Sequence, residues 1–241
     1  MKIQWFGASH FLITTDIGVR IVTDPYQNNE IFEGPARMPV FGNVIRPTYT
    51  GEADIVVMSH ADGDHSYIWN IQGVPRLYAG GKPQEYKGVK FSSVATCHGN
   101  DDTYRNNFIG IEAEGIRIWH TGDSGQVLSD EQIEKIGRVD ILMTNWDDEP
   151  LEMTFEMLDK VLSQLNPRVV IPMHHCYIDE FMTGRKNFID HRIDNVTEVE
   201  FKKDKLPSEM TVVLIKPSLG NPFDFFDPES YKDSNLKALY N

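Results

Sequence analysis

The sequence predicts an α/β protein of the α+β kind, folded as a β-sandwich with helices on its outer faces. Apolar strand-like segments come first in a run and then alternate with helical segments, an order typical of two packed sheets with helices outside. The chain has 241 residues, a length at which one α/β domain buries a large core. The sequence contains no evident repeat or linker, so we expect a single domain over residues 1–241 with a C-terminal tail at about 217–241.

The first part of the chain alternates apolar and polar residues. This pattern predicts a three-stranded meander over residues 1–24, with turn residues at Thr15-Asp-Ile-Gly18. Residues 25–50 are rich in proline, with aromatic residues between polar ones, and predict a long loop. A loop this long in a compact domain is usually functional or part of an interface, and the alternative is a purely structural cover. The sequence leaves these alternatives open.

Two helices are predicted from the residues at their ends. The first, over residues 130–136, has an N-cap, a capping-box partner and a stop, which are Ser129, Gln132 and Gly137. The second begins after Thr154 and ends before Asn166-Pro167, with one apolar face made of Phe155, Leu158, Leu162 and Leu165. Apolar runs predict further strands at 76–79, 89–95, 107–113, 115–119, 140–144, 169–172 and 211–216.

Residues 59–65, Ser-His-Ala-Asp-Gly-Asp-His, hold four side chains of the types that bind metals: His60, Asp62, Asp64 and His65. They follow the apolar run Asp54-Ile-Val-Val-Met58, which predicts a buried strand. Imidazole and carboxylate suit zinc, manganese or iron. A turn at the carboxyl end of a strand points such groups into the crevice where α/β folds bind ligands. The segment therefore predicts a metal site, with a polar loop of incidental histidines as the alternative.

Three further residues of these types each stand just beyond a predicted strand. They are His98, Asp123 and His174. Together with the segment 59–65, they supply enough ligands for two metal ions that share one carboxylate. Residues 66–72 predict a short helix that packs Tyr67, Ile68 and Trp69 beneath the metal-binding loop.

The order of these residues resembles the signature of the metallo-β-lactamase superfamily: His-x-His-x-Asp-His, a distal histidine, a Thr-Gly-Asp aspartate and a late histidine. The branch of metal-dependent hydrolases related to L-ascorbate-6-phosphate lactonase is the most similar. That likeness is carried by Trp5-Phe-Gly7, Ile21-Val-Thr-Asp-Pro25 and Pro172-Met-His174. The resemblance runs from about Trp5 to the Lys216 region. It implies a four-layer αββα sandwich and a centre of two divalent metal ions.

Carried over position by position, the resemblance implies a set of ligands for each ion. The first ion is held by His60, Asp62 and His98, and the second by Asp64, His65 and His174. Asp123 bridges the two ions. We expect zinc, with manganese or iron as alternatives. A metal-bound hydroxide would then attack a carbonyl or phosphoryl centre, and Asp64 is the predicted catalytic residue, which orients it and relays a proton.

Asp62 stands where the superfamily signature has its second histidine. A carboxylate there makes the first site harder and more anionic, which favours iron or manganese more than three imidazoles would. Diiron flavoproteins of the superfamily carry a glutamate at this position, so the resemblance is compatible with a bound ion. In the alternative, Asp62 is too short to reach the ion and only the second site binds tightly.

Four other histidines have competing interpretations. His120 either donates a hydrogen bond to a metal ligand or is a core histidine bonded to backbone. His10 either faces the site or caps a strand end. His175 follows a predicted ligand, and such a neighbour more often packs or hydrogen-bonds than binds metal. His191 lies in a charged stretch and is interpreted as solvated.

Substrate contacts are sought among four residues, Arg105, Trp146, Tyr104 and Arg46, although an ordinary surface position ranks higher for each of them. The two cysteines, Cys97 and Cys176, lie near predicted ligands. We interpret them as buried small apolar residues. A disulfide is rare in a cytosolic chain, and the C-x-x-C spacing of a zinc–thiolate site is absent.

The charge of the chain limits its partners. Lysine and arginine total 23 against 36 aspartate and glutamate residues, which gives a net charge of −13. Because such a surface repels phosphate backbones, we expect a small-molecule substrate and no nucleic acid. We find neither a signal-like N-terminal segment nor a run of transmembrane length, so we expect no membrane association and a cytoplasmic location. The apolar tail Asn221-Pro-Phe-Asp-Phe-Phe-Asp-Pro228 docks on its own body or on a second copy, which leaves a homo-oligomer open.

The leading functional hypothesis is a metal-dependent hydrolase of a small ester, lactone or phosphodiester. A diiron-type oxidoreductase is the second, because Asp62 supplies a carboxylate to the first site. Against it, the chain has no flavodoxin-like partner domain to deliver electrons. A metal-binding module without catalysis is the third, and the nearly full set of ligands argues against it.

Overall fold

The computed structural model of the chain describes residues 1–27, 30–32, 44–46, 48–98, 104–145, 153–174, 192–215 and 218, with backbone alone at 30–32, 44–46 and 192–195. In chain order the strands are β1 (Lys2–Gly7), β2 (His10–Thr14), β3 (Arg20–Thr23), β4 (Glu30–Phe32), β5 (Val44–Arg46), β6 (Ile55–Val57), β7 (Arg76–Tyr78), β8 (Gln84–Tyr86), β9 (Val89–Cys97), β10 (Arg105–Ala113), β11 (Ile116–His120), β12 (Ile141–Asn145), β13 (Val169–Met173), β14 (Arg192–Val196), β15 (Glu198–Glu200) and β16 (Thr211–Ile215). The α-helices are α1 (Asp130–Ile136) and α2 (Phe155–Leu165), and Ile68–Asn70 and Lys203–Lys205 form short 3-10 helices.

Two mixed sheets pack face to face. One has six strands in the order β15-β1-β2-β3-β6-β7, and the other has eight in the order β14-β16-β13-β12-β11-β10-β9-β8. In the six-stranded sheet, β1 to β3 form the predicted antiparallel meander, and β3, β6 and β7 are parallel. In the eight-stranded sheet, β8 to β11 are antiparallel, whereas β11, β12, β13 and β16 are parallel. Strands β4 and β5 pair with each other.

The main core fills the space between the sheets. Because side chains alternate along a strand, every second residue of the facing strands points inward, as Phe11, Ile13, Ile109 and Ile111 do. A second cluster covers the outer face of the eight-stranded sheet, where residues of α1 and α2 pack on strand residues: Ile136, Leu158, Leu162, Phe108 and Trp119. A third, smaller cluster lies on the outer face of the six-stranded sheet around Leu12, Val22 and Val56.

The predicted sandwich with outer helices is confirmed. Within the described residues both α-helices lie on the eight-stranded sheet, and the third cluster is covered in part by Ile68 of the first 3-10 helix. Neither α-helix of the described chain has the length and apolarity that crossing a bilayer requires.

Both helices have the end residues that the sequence predicts. The hydroxyl of Ser129 accepts a hydrogen bond from the Gln132 backbone, and the Gln132 side chain accepts one from the Ser129 backbone, which closes a capping box. Gly137 ends α1 with a φ of 63°. Thr154 caps α2, and Asn166 ends it in the left-handed conformation.

The short helix predicted over residues 66–72 is only partly correct. A 3-10 helix forms at Ile68–Asn70, but Trp69 is 81% exposed, so its predicted packing beneath the loop is wrong. Three residues make less than one α-helical turn, and a segment this short leaves one of its apolar side chains facing solvent. Ile68 does pack, against the cluster on the outer face of the six-stranded sheet.

The strand directions place five loops at one edge of the sandwich. In the six-stranded sheet β3 and β6 are parallel, and in the eight-stranded sheet β9, β11 and β13 run in a common direction. The loops after these five strands therefore emerge at the same end. This edge is where α/β folds commonly bind ligands.

Candidate metal centre

The five loops carry the seven predicted metal ligands and one further aspartate. Asp24 follows β3, and the segment from His60 to His65 follows β6. His98, Asp123 and His174 follow β9, β11 and β13. His98 is held next to the Asp123 loop by an isolated bridge to Ser124. Residues distant in the sequence are thus brought into one cluster.

Asp123 lies among four imidazoles. Its Oδ2 atom is 2.9 Å from Nε2 of His65 and 3.6, 3.8 and 4.0 Å from the Nε2 atoms of His174, His98 and His60. The carboxylate is buried, and its Oδ1 atom accepts a hydrogen bond of 3.5 Å from the Ser9 hydroxyl. A carboxylate oxygen among four ring nitrogens is in a position to bridge two metal ions.

Two further carboxylates complete the cluster. The side chains of His60, Asp62 and His98 form one group whose ligand atoms lie within 4.8 Å of one another, and those of Asp64, His65 and His174 form a second. A third group, His60, His65 and Asp123, joins them. The Oδ2 atom of Asp62 is 3.5 Å from Nε2 of His60, so this shorter side chain reaches the cluster. The first two groups have the composition that the resemblance implies, and their role as ligands stays a prediction.

The buried ring nitrogens of this cluster suit a metal ion. The Nε2 atoms of His60 and His65 are buried and make no hydrogen bond of good geometry within the described part of the chain, although Asp123 Oδ2 lies 2.9 Å from that of His65. Buried polar atoms left unsatisfied are costly and therefore rare. A divalent ion would satisfy both nitrogens, and the combination of imidazole and carboxylate fits zinc, manganese or iron.

Asp24 orients two of the histidines and was not among the predicted site residues. Its Oδ2 atom is 2.9 Å from Nδ1 of His65 and accepts a 2.6 Å hydrogen bond from the Ser59 hydroxyl. Its Oδ1 atom accepts one of 2.7 Å from the Ser59 backbone N–H. The Ser59 hydroxyl is in turn 2.9 Å from Nδ1 of His60. These contacts leave Nε2 of each ring directed toward the cluster, as outer partners of metal-binding histidines do.

The charges of the cluster shift several pKa values. Burial alone would raise the pKa of Asp123, but the charges of His174 and His65 hold it well below its ordinary value. Burial acts to lower the pKa of His65, and Asp123, Asp24 and Asp64 together raise it well above 6.5. Asp64 has a pKa of about 2, because His65 and His174 outweigh the effect of burial. Asp123 and Asp64 are therefore ionised at neutral pH, and an ion that binds Nε2 of His65 would displace a proton.

Two residues of the cluster have a left-handed backbone. The φ angle is 36° at Asp24 and 53° at His174. Residues other than glycine seldom adopt this conformation, which costs roughly 1–3 kcal/mol when the surrounding structure imposes it. The backbone N–H of Asp24 donates to the carbonyl of Val57, and that of His174 donates to Ala8. These hydrogen bonds hold the two side chains toward the cluster.

His120 is a core histidine bonded to backbone, which is the second of its two predicted interpretations. The Gly122 backbone donates to its Nδ1 atom at 3.1 Å, so the proton lies on Nε2, which donates to the Ser9 carbonyl at 2.9 Å. Both ring nitrogens are bonded to backbone and neither bonds to a predicted ligand. His120 therefore affects the centre only through two neighbours of Asp123. Gly122 precedes Asp123 in the chain, and the Ser9 hydroxyl donates a hydrogen bond to the Asp123 carboxylate.

His10 lies in the core of the six-stranded sheet. Its Nδ1 atom is 2.7 Å from the Thr23 carbonyl, and its ring packs against Phe6 and Tyr26. The side chain makes none of the contacts of the cluster, and its hydrogen bond to the carbonyl of Thr23, the last residue of β3, agrees with the second interpretation, the capping of a strand end. Burial lowers the pKa of His10 to about 4, and the ring is neutral at physiological pH.

The remaining predicted residues are partly outside the described residues. Tyr104 is 56% exposed, and its ring lies 5.7 Å from that of His98, at the rim of the cluster. Arg105 begins β10 opposite Cys97 and is exposed. Trp146, His175, Cys176, His191 and the tail at 221–228 lie outside the described residues, as does the side chain of Arg46.

Cys97 is half-buried, so the expectation of a fully buried side chain is wrong. It ends β9, where the sheet reaches the loop edge, and its backbone donates to the Gln126 side chain. It belongs to none of the three groups of ligand atoms.

A separate cavity of about 440 Å³ lies on the outer face of the eight-stranded sheet, between α1 and β8. Its lining includes Lys90, Gly110, Arg117 and Trp119 but none of the cluster residues. Lys90 and Arg117 are paired with Glu112, and Lys135, which also lines the cavity, is paired with Glu131. Among the described residues, the groups able to bind a metal are therefore concentrated at the loop edge.

Comparison with known proteins agrees with this geometry. The family model for the beta-lactamase superfamily domain matches residues 2–174. A metal-dependent hydrolase of Methanobrevibacter smithii is 25% identical over 97% of this chain and 100% of its own length. One of Thermococcus onnurineus is 28% identical over 52% of this chain and 67% of its own length.

A solved structure is similar as well. It is that of a Thermotoga maritima protein assigned as a Zn-dependent hydrolase of the metallo-β-lactamase superfamily. It aligns with a TM-score of 0.68 at 26% identity and covers 89% of this chain and 97% of its own.

Proposed function

The chain belongs to the metallo-β-lactamase superfamily and is a metal-dependent hydrolase, and we propose that it uses two divalent ions to hydrolyse a small ester, lactone or phosphodiester. The observation that carries this proposal is the position of Asp123 Oδ2 within 4.0 Å of four imidazole nitrogens. Zinc is the first candidate metal, and manganese and iron fit the same ligand types.

The side chains that would hold the ions are the two groups already described, joined by Asp123. Two such ions, when bound, activate a water molecule and polarise the oxygen of the attacked group. Asp24 and Ser59 fix the orientation of the buried imidazoles, so the site needs little reorganisation when substrate arrives.

We assign Asp64 to the transfer of the proton from the attacking water. Its carboxylate is about a third exposed, at 32%, on the open side of the cluster. From there it could accept a hydrogen bond from the attacking water, orient it and relay its proton toward the leaving group. We also assign Tyr104 a contact with the substrate, and its exposed ring beside His98 supports this assignment.

The proposal is tested with Asp64→Ala and His65→Ala, assayed on a panel of lactones, esters and phosphodiesters. Both variants should lose turnover while their circular dichroism remains that of the parent. Glu85→Ala is the matched control, because Glu85 is an exposed carboxylate on the edge strand β8. Full activity in both cluster variants would refute the proposal.

A second candidate function is an iron-dependent oxidoreductase. Asp62 favours it, because a carboxylate beside His60 gives the first group a harder set of donors. Oxygen consumption by the iron-loaded protein with a reductant would support this function. No consumption from a protein that hydrolyses substrate with zinc would eliminate it.

A further inference from the structure

The two groups of candidate ligands have the same composition. Each contains two imidazoles and one carboxylate: His60, His98 and Asp62 in the first, and His65, His174 and Asp64 in the second. Asp123 Oδ2 lies between them and is available to both. An ion in either position would therefore meet two nitrogen donors, one oxygen of its own and one shared oxygen.

The surroundings of the two groups also correspond residue by residue. One imidazole of each is buried, with side-chain exposures of 3% for His60 and 0% for His65. The other imidazole of each is at the rim, with 25% for His98 and 24% for His174. The carboxylates are the most exposed members, with 45% for Asp62 and 32% for Asp64. Each position is thus enclosed by protein on the side of its buried imidazole and open to solvent on the side of its carboxylate.

The outer support is shared as well. Asp24 contacts Nδ1 of His65 directly and reaches Nδ1 of His60 through the Ser59 hydroxyl. One buried carboxylate therefore fixes the ring orientation at both positions. Two differences remain: the Ser59 hydroxyl stands between Asp24 and His60, and Asp123 Oδ2 is nearer to His65 than to His60.

We infer that the chain holds two metal positions with the same set of donor atoms, and that Asp62 is the residue that gives the first position the donor set of the second. The inference rests on the proposed binuclear function. A histidine at position 62 would give three nitrogens to one ion and two to the other, and ligand type largely decides which metal a site selects. With Asp62 present, both positions select the same metal, so the centre fills with a single kind of ion.

Cobalt(II) titration of chelator-treated protein tests the inference, because the visible absorption of cobalt reports the donors around each ion. The wild-type protein should take up about two equivalents, and the band shape should stay constant from the first equivalent to the second. Asp62→His and its mirror variant Asp64→His should each give two successive band shapes. Glu85→His, on exposed strand β8, controls for an added surface imidazole and should behave as wild type.

Three results would overturn the inference, and they are distinguishable. A change of band shape between the first and second wild-type equivalents would show that the positions differ. A constant band shape in Asp62→His would show that residue 62 is not a ligand. Uptake of a single equivalent by the wild-type protein would refute the binuclear function itself.

Discussion

The Nδ1 atom of His65 lies 2.9 Å from the Oδ2 atom of Asp24, although 41 positions separate the two residues in the chain. The parallel pairing of β3 with β6 creates this contact, since Asp24 follows one strand and the His65 loop follows the other. Both side chains are buried. The hydrogen bonds of Asp24 therefore set the geometry of the candidate metal centre from the six-stranded sheet.

Asp24→Asn should weaken metal binding about 10–100-fold, the range typical for loss of an outer partner of a metal-binding histidine. An amide has one acceptor oxygen, and its NH₂ group would face the donors of His65 and Ser59. Competition with a coloured chelator measures the affinity.

Asp54→Asn is the matched control for this substitution. Asp54 also accepts a backbone hydrogen bond, from Arg20, but it lies outside the cluster, beside Lys87. Its substitution should leave metal affinity unchanged. Equal losses in both variants would show that the effect of Asp24 is general destabilisation.

Gly122→Ala should destabilise the fold by about 1–3 kcal/mol more than Gly18→Ala, the range for overpacking in a tight core. Both glycines have a positive φ, 56° and 82°, so both alanines meet similar backbone strain. A Cβ at Gly122 would collide with the side chains of Asn106 and Ser59, whereas nothing lies within 4 Å at Gly18. Urea denaturation measures the difference, and equal midpoints for the two variants would contradict it.

Local signals made the helices and most strands predictable. The capping box of Ser129 and Gln132 acts over four residues, and the apolar periodicity of α2 acts over eleven, so neither depends on distant contacts. Two of the strands that were missed, β8 and β15, are three residues long and mostly exposed. Such strands lack the apolar run that identifies the others.

The cluster was predictable to the extent that its members follow strands with recognisable apolar patterns. Asp24 shares that signal, since it comes directly after the apolar strand β3. The sequence does not show which loops lie next to each other, because that depends on the order of the strands in the sheets. The same limit explains why the hydrogen bonds of His120 and His10 to backbone carbonyls required the structure.

The stability of the protein should fall as pH falls from about 6.5 to about 4, in part because of His10. Its pKa is lowered to about 4 in the folded state by burial, against 6.5 for an unburied imidazole. The unfolded chain therefore binds more protons in this window, and the stabilisation present above pH 6.5 is lost as pH falls toward 4. Its size is about 3 kcal/mol.

Urea denaturation of wild type and His10→Gln between pH 4.5 and 7.5 measures this contribution. Glutamine keeps a donor for the Thr23 carbonyl but does not titrate, so its stability should change less across the window. The other histidines are common to both proteins and cancel in the difference. Parallel pH profiles would show that His10 does not cause the acid sensitivity.

Removal of metal ions should lower the stability of the fold, because four carboxylates converge at the centre: Asp24, Asp62, Asp64 and Asp123. Ions that bind only the folded chain stabilise it by mass action, by about 2.7 kcal/mol when their concentration is 100 times Kd. Thermal unfolding of chelator-treated protein, with and without added zinc, measures the gain. In Asp123→Asn the gain should be much smaller, because Asp123 lies within 4.0 Å of imidazoles from both groups. In Asp54→Asn it should persist in full, since that residue touches none of the ligands, and loss of the gain there would contradict the assignment of the site.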